Sequence, residues 1–477
     1  MRDAIELKIS RLYRRGLVRK VSSLRTISGT YPQSVLFMNA PSGSHQSVRR
    51  QAAKLAFGIY YDRFIHSSIS FLSVYYSKVT YDKLLQNFKI SMELKMNDKK
   101  KTINIGLVAA GARSGLLKQL FNLDDNIKLK AVYDPDKKLS KERCESLNQP
   151  DAKICDTFEE VTQNPEVDWV AVFSPNCYHK EHIISAFEAG KNVFSEKPLA
   201  TTIQDCQDIF EAHKKSGLLF ATGFVLRYAP LYNKVREILD AGTIGKIISI
   251  DANENIGPAH GAYIMKNWRR FTKYSGPHIL EKCCHDLDLI NWFVGSLPSK
   301  IASFGGRNFF TPENEHFMTK FKEKDGTCQF DGWKDPHGEA SPFTSDKDIV
   351  DNQVAILEYR NNIRVMFQAT LSNAIPERRM YFSGTEGTMI AELYSGLVQV
   401  KRIDEEAVKT YKLIGGGHAG GDEIIMKELY ETMTTGVAPK CGGEEGLDSS
   451  VTAIAIEEAK NNMSIFDLEP VWKKLER

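Results

Sequence analysis

The run Ile103-Asn104-Ile105-Gly106-Leu107-Val108-Ala109 is nearly continuous in apolar character, the mark of a strand buried on both faces. Leu129-Lys130-Ala131-Val132-Tyr133, Trp169-Val170-Ala171-Val172-Phe173 and Asn192-Val193-Phe194 follow in the same style. Amphipathic stretches at 178–189 and 202–216 lie between and after them and predict helices. Strand–helix alternation of this kind predicts an α/β fold built on a doubly wound parallel sheet. Later runs differ. Lys246–Ala252, Val354–Tyr359 and Arg364–Ala369 are rich in β-branched and aromatic residues and predict strands of a second domain. Residues 307–350 are polar and turn-rich and read as an inserted loop near the site or an interface. The expected organisation is a segment 1–95, a sheet domain at 102–225, and a second domain at 226–477.

At 477 residues the chain has room for two or three domains. No apolar run is long enough to span a bilayer. The eight cysteines show no C-x-x-C spacing, so free thiols in a reducing compartment, with no metal site, are expected. That points to the cytoplasm. The net charge of +3 hides an asymmetry: residues 1–91 carry 15 Lys and Arg against 4 Asp and Glu, a net +11, which leaves −8 for 92–477. An acidic body argues against nucleic acid as a partner.

The basic segment 1–95 has several readings. Arg11, Arg14, Arg15 and Arg19 amid Ser and Leu suit a transit peptide, although Asp3 and Glu6 do not. The alternatives are a disordered extension, sequence upstream of a true start at Met92 or Met96, or a basic arm for an acidic partner or membrane surface.

The first strand runs into Ala110-Gly111-Ala112-Arg113-Ser114-Gly115. A dinucleotide fingerprint, G-x-G-x-x-G, uses glycine for a tight turn, for close approach of the diphosphate and for helix packing. Here Gly111 stands at the close-approach position, and Ala109 and Ser114 replace the other two. Asp134 ends the second strand 23 residues after Gly111, near the spacing of the acid that binds the cofactor ribose. A carboxylate there accepts from a ribose diol and repels a 2′-phosphate, which favours NAD. Asp136 is a candidate helper, and Lys137 and Lys138 keep NADP open.

Ser174-Pro175-Asn176-x-x-His179 follows the next strand, and Ala189-Gly190-Lys191-Asn192-Val193-Phe194-Ser195-Glu196-Lys197-Pro198 closes the one after it. With Gly276-Pro277-His278-Ile279-Leu280-Glu281-Lys282-Cys283-Cys284-His285-Asp286-Leu287-Asp288 and Ser383-Gly384-Thr385-Glu386-Gly387-Thr388, the chain resembles the Gfo/Idh/MocA family over about 102–460. The resemblance implies an N-terminal Rossmann-type domain and a C-terminal α+β domain with an open, mostly antiparallel sheet. It implies a homo-oligomer of dimer or tetramer type, and a small sugar or cyclitol as substrate.

It also implies roles. Gly111, Ala112, Arg113, Ser114, Asp134, Ser174, Asn176, His179 and Glu196 are expected at the cofactor. Lys197 is expected to relay a proton and stabilise an alkoxide, with a pKa lowered by burial. His285 is expected as general base, with Glu281 four residues earlier on one helix spanning 279–293, where family inositol dehydrogenases carry aspartate, either orienting it or binding a substrate hydroxyl. Arg227, Tyr228, Trp268, Arg269 and His418 are expected to face substrate, and Asp422 to cap the helix after it. The leading expectation is an NAD-dependent dehydrogenase. A glycoside hydrolase using transient redox and a non-catalytic nucleotide sensor stand as alternatives.

Overall fold

The computed structural model describes residues 102–331 and 338–477; the basic segment 1–95 lies outside them. The first sheet holds β1 (Ile103–Val108), β2 (Ile127–Tyr133), β3 (Lys153–Ile154), β4 (Trp169–Val172), β5 (Asn192–Ser195) and β6 (Phe220–Thr222). All pair in parallel, in the order β3-β2-β1-β4-β5-β6. Strand order reverses between β1 and β4. A crevice therefore opens beyond their carboxyl ends, where ligands of such sheets bind. Helices Lys137–Ser146, His179–Glu188 and Ile203–Ser216 flank the sheet. The central strands β1, β4 and β5 are largely buried, which explains their unbroken apolar runs.

The second sheet has nine strands: β7 (Ile247–Asn255), β8 (Pro298–Gly306), β9 (Asn352–Tyr359), β10 (Arg364–Thr370), β11 (Arg379–Gly384), β12 (Gly387–Glu392), β13 (Leu397–Arg402), β14 (Lys409–Lys412) and β15 (Phe466–Asp467). Their order is β14-β13-β12-β11-β7-β10-β9-β8-β15, antiparallel except for β7 beside β10. Side chains alternate across it. Leu357, Val365, Phe367 and Phe382 enter a core shared with the helices Cys284–Val294 and Gly443–Asn462. Ile248, Phe304, Val354, Ile356 and Met366 stand exposed on the other face.

One expected element divides. The segment 279–293 is two helices, His278–Glu281 and Cys284–Val294, with Lys282 and Cys283 between them. Residues 307–350 contain the short helical turns Pro312–Asn314 and Phe317–Lys320. Phe310, Phe330 and Phe343 join Ile264, Met265 and Leu371 in a separate apolar cluster.

No helix among the described residues is long and apolar enough to cross a membrane. All eight cysteines are free.

Candidate active site

The glycine turn passes from β1 through Ala109, at φ 71°, into the 3-10 helix Ala112–Leu116. An added Cβ at Gly111 would meet no atom within 4 Å, so the turn faces open space and leaves room for a diphosphate. Asp134 Oδ2 accepts the Ala110 N–H at 2.8 Å, and its Oδ1 accepts the Asp136 N–H at 2.9 Å. The carboxylate thus stands at the turn, with further lone pairs open to a ribose diol. Asp136 is the N-cap of the helix Lys137–Ser146 rather than a helper at the ribose. Lys137 pairs with Asp156 and Lys138 with Glu142. Ser114 turns its hydroxyl back to Gly111 O at 2.7 Å, and Ala112 lies in the same 3-10 turn.

Arg113 is not free to swing. Its Nε donates to Glu196 Oε1 at 2.6 Å, and its Nη1 and Nη2 donate to the two carboxylate oxygens of Asp422 at 3.1 and 2.8 Å. Gly223 makes the pairing possible, since a Cβ there would lie 2.9 Å from Glu196 Oε2. Asp422 is no cap: Gly420 precedes the helix Gly421–Thr435, and Asp422 sits in its first turn. The negative charge still suits that end of the helix dipole.

Lys197 follows β5 at the crevice, and its peptide to Pro198 is cis. Its ammonium donates to the Glu281 main-chain carbonyl at 2.6 Å and lies 4.0 Å from Glu281 Oε1. Burial pulls the ammonium pKa down, but Glu281, Cys284 and Glu196 outweigh burial and leave it above its ordinary value. The expected depression does not occur, and Lys197 is a standing cation. Glu281 Oε1 also accepts from Arg269 Nε at 2.8 Å. Burial alone would raise its carboxyl, yet Lys197 and Arg269 hold it well below the usual carboxylate range. The carboxylate is thus directed at two cations, and not at His285 as the helical spacing suggested. Arg269 lies over the Trp268 ring at 4.4 Å.

His285 is almost fully buried, edge-on to Phe224 at 5.9 Å, with its ring centre 6.1 Å from that of His418. Its Nδ1 is buried and has no hydrogen-bond partner among the described residues. Burial, followed by Lys197, Arg378, His418 and Lys282, keeps the imidazole neutral. His418 is part-exposed, and its Nδ1 lies 3.1 and 3.0 Å from the two oxygens of Asp422.

Five expected ligands are held by other groups of the protein. His179 is fully buried, with its ring nitrogens 2.8 Å from Pro198 O and 2.9 Å from Ser174 O. It braces the turn that carries Lys197 and cannot reach a cofactor. Ser174 Oγ is 2.9 Å from His182 Nδ1. Arg227 is clamped by Asp288, at 2.7 and 2.8 Å. Tyr228 is buried with its hydroxyl on Glu428. Asn176 is also buried, and ties the end of β4 to Ser275 O at 2.8 Å.

A buried ionic group beside the site lacked a local signal. Arg378 holds Asp286 through two bonds of 2.8 and 2.7 Å and lies 3.1 Å from Glu254 Oε1. Cys283 joins Glu254 and Asp286 within 4.8 Å, a spacing open to a metal, but Arg378 already binds both carboxylates. The only hint was Glu254 as an acid late in an apolar strand.

The segment carrying Trp268 and Arg269 is held from outside by the insertion. Lys266 Nζ donates to Asp331 Oδ1 at 3.1 Å, Arg270 Nε to Asp346 O at 2.8 Å, and Thr272 N to Asp348 Oδ1 at 2.7 Å.

With this geometry in view, the relatives can be set beside the chain. Residues 103–224 match the Gfo/Idh/MocA model described as oxidoreductase family, NAD-binding Rossmann fold. Residues 236–466 match its C-terminal alpha/beta domain. The chain is 30% identical over 207 residues to the 2,7-anhydro-N-acetylneuraminate hydratase of Escherichia coli (strain K12), covering 43% of this chain and 53% of that protein. It is 36% identical over 149 residues to the inositol 2-dehydrogenase of Gluconacetobacter diazotrophicus, covering 30% of this chain and 40% of that one. Levoglucosan dehydrogenase, solved in complex with NADH and levoglucosan, superposes with a TM-score of 0.65 at 16% identity, over 77% of this chain and 99% of its own. At that identity the likeness is one of fold.

Proposed function

The chain belongs to the Gfo/Idh/MocA oxidoreductase family, with an NAD-binding Rossmann domain, and from that premise we propose that it is an NAD-dependent dehydrogenase acting on a secondary alcohol of a sugar or cyclitol. The cluster of Lys197, Glu281 and Arg269 beside the dinucleotide turn carries the reading. Bound nicotinamide supplies the hydride-accepting carbon. Lys197 faces the reacting oxygen as a fixed cation and stabilises the alkoxide as it forms. Glu281 holds that ammonium in place and keeps it charged. His285 adds a neutral imidazole to the same pocket. Trp268 and Arg269 form a wall suited to a polyol, through stacking and donated hydrogen bonds. Asp134 favours NAD over NADP. The relatives named as inositol and levoglucosan dehydrogenases support a polyol substrate.

A hydratase among the relatives supports a second reading, in which the sugar is oxidised transiently, loses a leaving group and is reduced again, with no net NADH. One assay separates the two. Purified protein is given NAD and a panel of inositols, aldoses and anhydrosugars. Accumulating NADH is the expected result. Product without NADH would sink the dehydrogenase reading and favour the second.

The open face of the second sheet supports a homo-oligomer. Phe304 pairs with Val354 and Ile356 with Met366 across adjacent strands, and all four are exposed. A contiguous apolar surface of this kind is suited to burial by a second copy. Light scattering should give a mass of at least two chains; a monomer would overturn it.

A further inference from the structure

We propose that Arg269 is a positioning residue: it holds the Glu281 carboxylate away from the Lys197 ammonium and so leaves that ammonium free to meet the substrate oxygen. The proposal rests on the dehydrogenase reading above.

Hydrogen-bond geometry carries it. An ammonium has three N–H donors. Among the described residues the Lys197 ammonium spends one, on Glu281 O at 2.6 Å. The carboxylate of the same residue stops 4.0 Å away, beyond hydrogen-bond length. Opposite charges so placed attract, and little water screens them, since the two side chains are 16% and 9% exposed. The carboxylate must therefore be restrained. Arg269 Nε binds its Oε1 at 2.8 Å, and no other group among the described residues hydrogen-bonds that carboxylate. Lys282, next in the chain, turns instead to Glu254 Oε1 at 3.6 Å.

Arg269 is itself fixed. Its Nη1 donates to Asn267 Oδ1 at 3.1 Å and to the Tyr263 hydroxyl at 3.3 Å, and its guanidinium lies over the Trp268 ring. Its main-chain carbonyl accepts from the buried Ser275 hydroxyl at 2.9 Å, and Ser275 O accepts from Asn176 at 2.8 Å. Asn176 follows β4, the neighbour of the strand that leads into Lys197. The restraint is thereby tied to the sheet that carries the lysine.

The arrangement occurs twice. Glu196 is the other carboxylate that acts on Lys197, and Arg113 Nε holds its Oε1 at 2.6 Å. Neither carboxylate makes a hydrogen bond to the ammonium. A carboxylate seated on Lys197 would occupy a donor and offset its charge, and the forming alkoxide would lose both. Held at a distance, Glu281 and Glu196 still work against burial and keep the lysine charged.

Arg269→Gln removes the restraint and keeps a polar side chain. In its crystal structure the gap between Lys197 Nζ and the Glu281 carboxylate should close from 4.0 Å to about 2.7–2.9 Å. A gap that stays open would overturn the proposal. Turnover number kcat should fall about 10- to 100-fold, less than the ~10²–10³-fold lost when an oxyanion donor is removed outright, with NAD affinity by fluorescence titration unchanged. A double-mutant cycle shows whether the effect runs through Glu281. Glu281→Gln leaves no charged carboxylate to restrain, so adding Arg269→Gln should cost no further kcat. A rise in KM from loss of the Trp268–Arg269 wall should persist in both backgrounds. Equal kcat losses in both would sink the proposal, because Arg269 would then act on substrate directly. If Arg269→Gln does not fold, Arg269→Lys serves in the same cycle. It keeps the charge as a point donor, and its smaller kcat loss should likewise vanish beside Glu281→Gln. The crystallographic distance needs no substrate. If the unmutated protein forms no NADH on any substrate, the dehydrogenase reading fails, and that distance still decides whether Arg269 holds the carboxylate off the lysine.

Discussion

Lys197 donates its ammonium to the main-chain carbonyl of Glu281 at 2.6 Å, 84 positions away in the chain, and lies 4.0 Å from the same residue's carboxylate. One residue thus fixes the lysine twice, by geometry through its backbone and by charge through its side chain. Arg269 binds the same carboxylate oxygen, so Lys197 and Arg269 share one anchor.

Lys197→Met should lower turnover by about 10²–10⁴-fold with little change in NAD affinity. Glu281→Gln tests the cause. Burial lowers the lysine pKa and Glu281 is the largest influence raising it. Without that carboxylate burial prevails, and the alkaline limb of the kcat/KM profile should move to lower pH. An unmoved limb would show that the carboxylate does not set the charge of Lys197.

Asp134→Ala should weaken NAD binding by about 10- to 100-fold, the worth of a hydrogen bond to a charged group, and NADP binding by less. The carboxylate that accepts from a ribose diol also repels a 2′-phosphate, so its loss has opposing effects on the second cofactor. Titration with both cofactors decides. Equal weakening would mean that Asp134 acts only through its bond to the Ala110 N–H.

His278 links stability to pH. Burial pushes its imidazole down to about 4, against roughly 6.5 in an unfolded chain. Between these values the unfolded chain binds a proton that the folded one refuses. Its contribution is therefore intact above pH ~6.5 and is lost progressively as pH falls toward about 4, a total on the order of 3 kcal/mol. His278→Phe removes the titration. Urea unfolding of this variant should show a shallower loss of stability from pH 6.5 to 5, and parallel slopes for the two proteins would refute the assignment.

The parallel sheet was legible because β1, β4 and β5 are buried strands that read as apolar runs, and because Gly111 and Asp134 keep a recognisable spacing. Strand β3 was not, being two exposed residues with no pattern to detect. The break at Lys282 and Cys283 was hidden because 279–293 contains no proline or glycine to mark it. Arg113 and Asp422 pair across 309 positions, and Arg378 reaches Asp286 across 92. No local periodicity encodes such meetings. Arg227 and Tyr228 misled for the converse reason. Polar residues at a domain entrance look available until Asp288 and Glu428 are brought against them by the fold.

The aromatic nucleus of residues 307–350 couples the insertion to the segment that carries Trp268 and Arg269. Phe310, Phe330 and Phe343 pack the segment against Ile264, Met265 and Leu371, and its polar groups grip Lys266, Arg270 and Thr272. A substitution in the insertion would therefore act on the segment carrying Trp268 and Arg269 from a distance, through Lys266, Arg270 and Thr272.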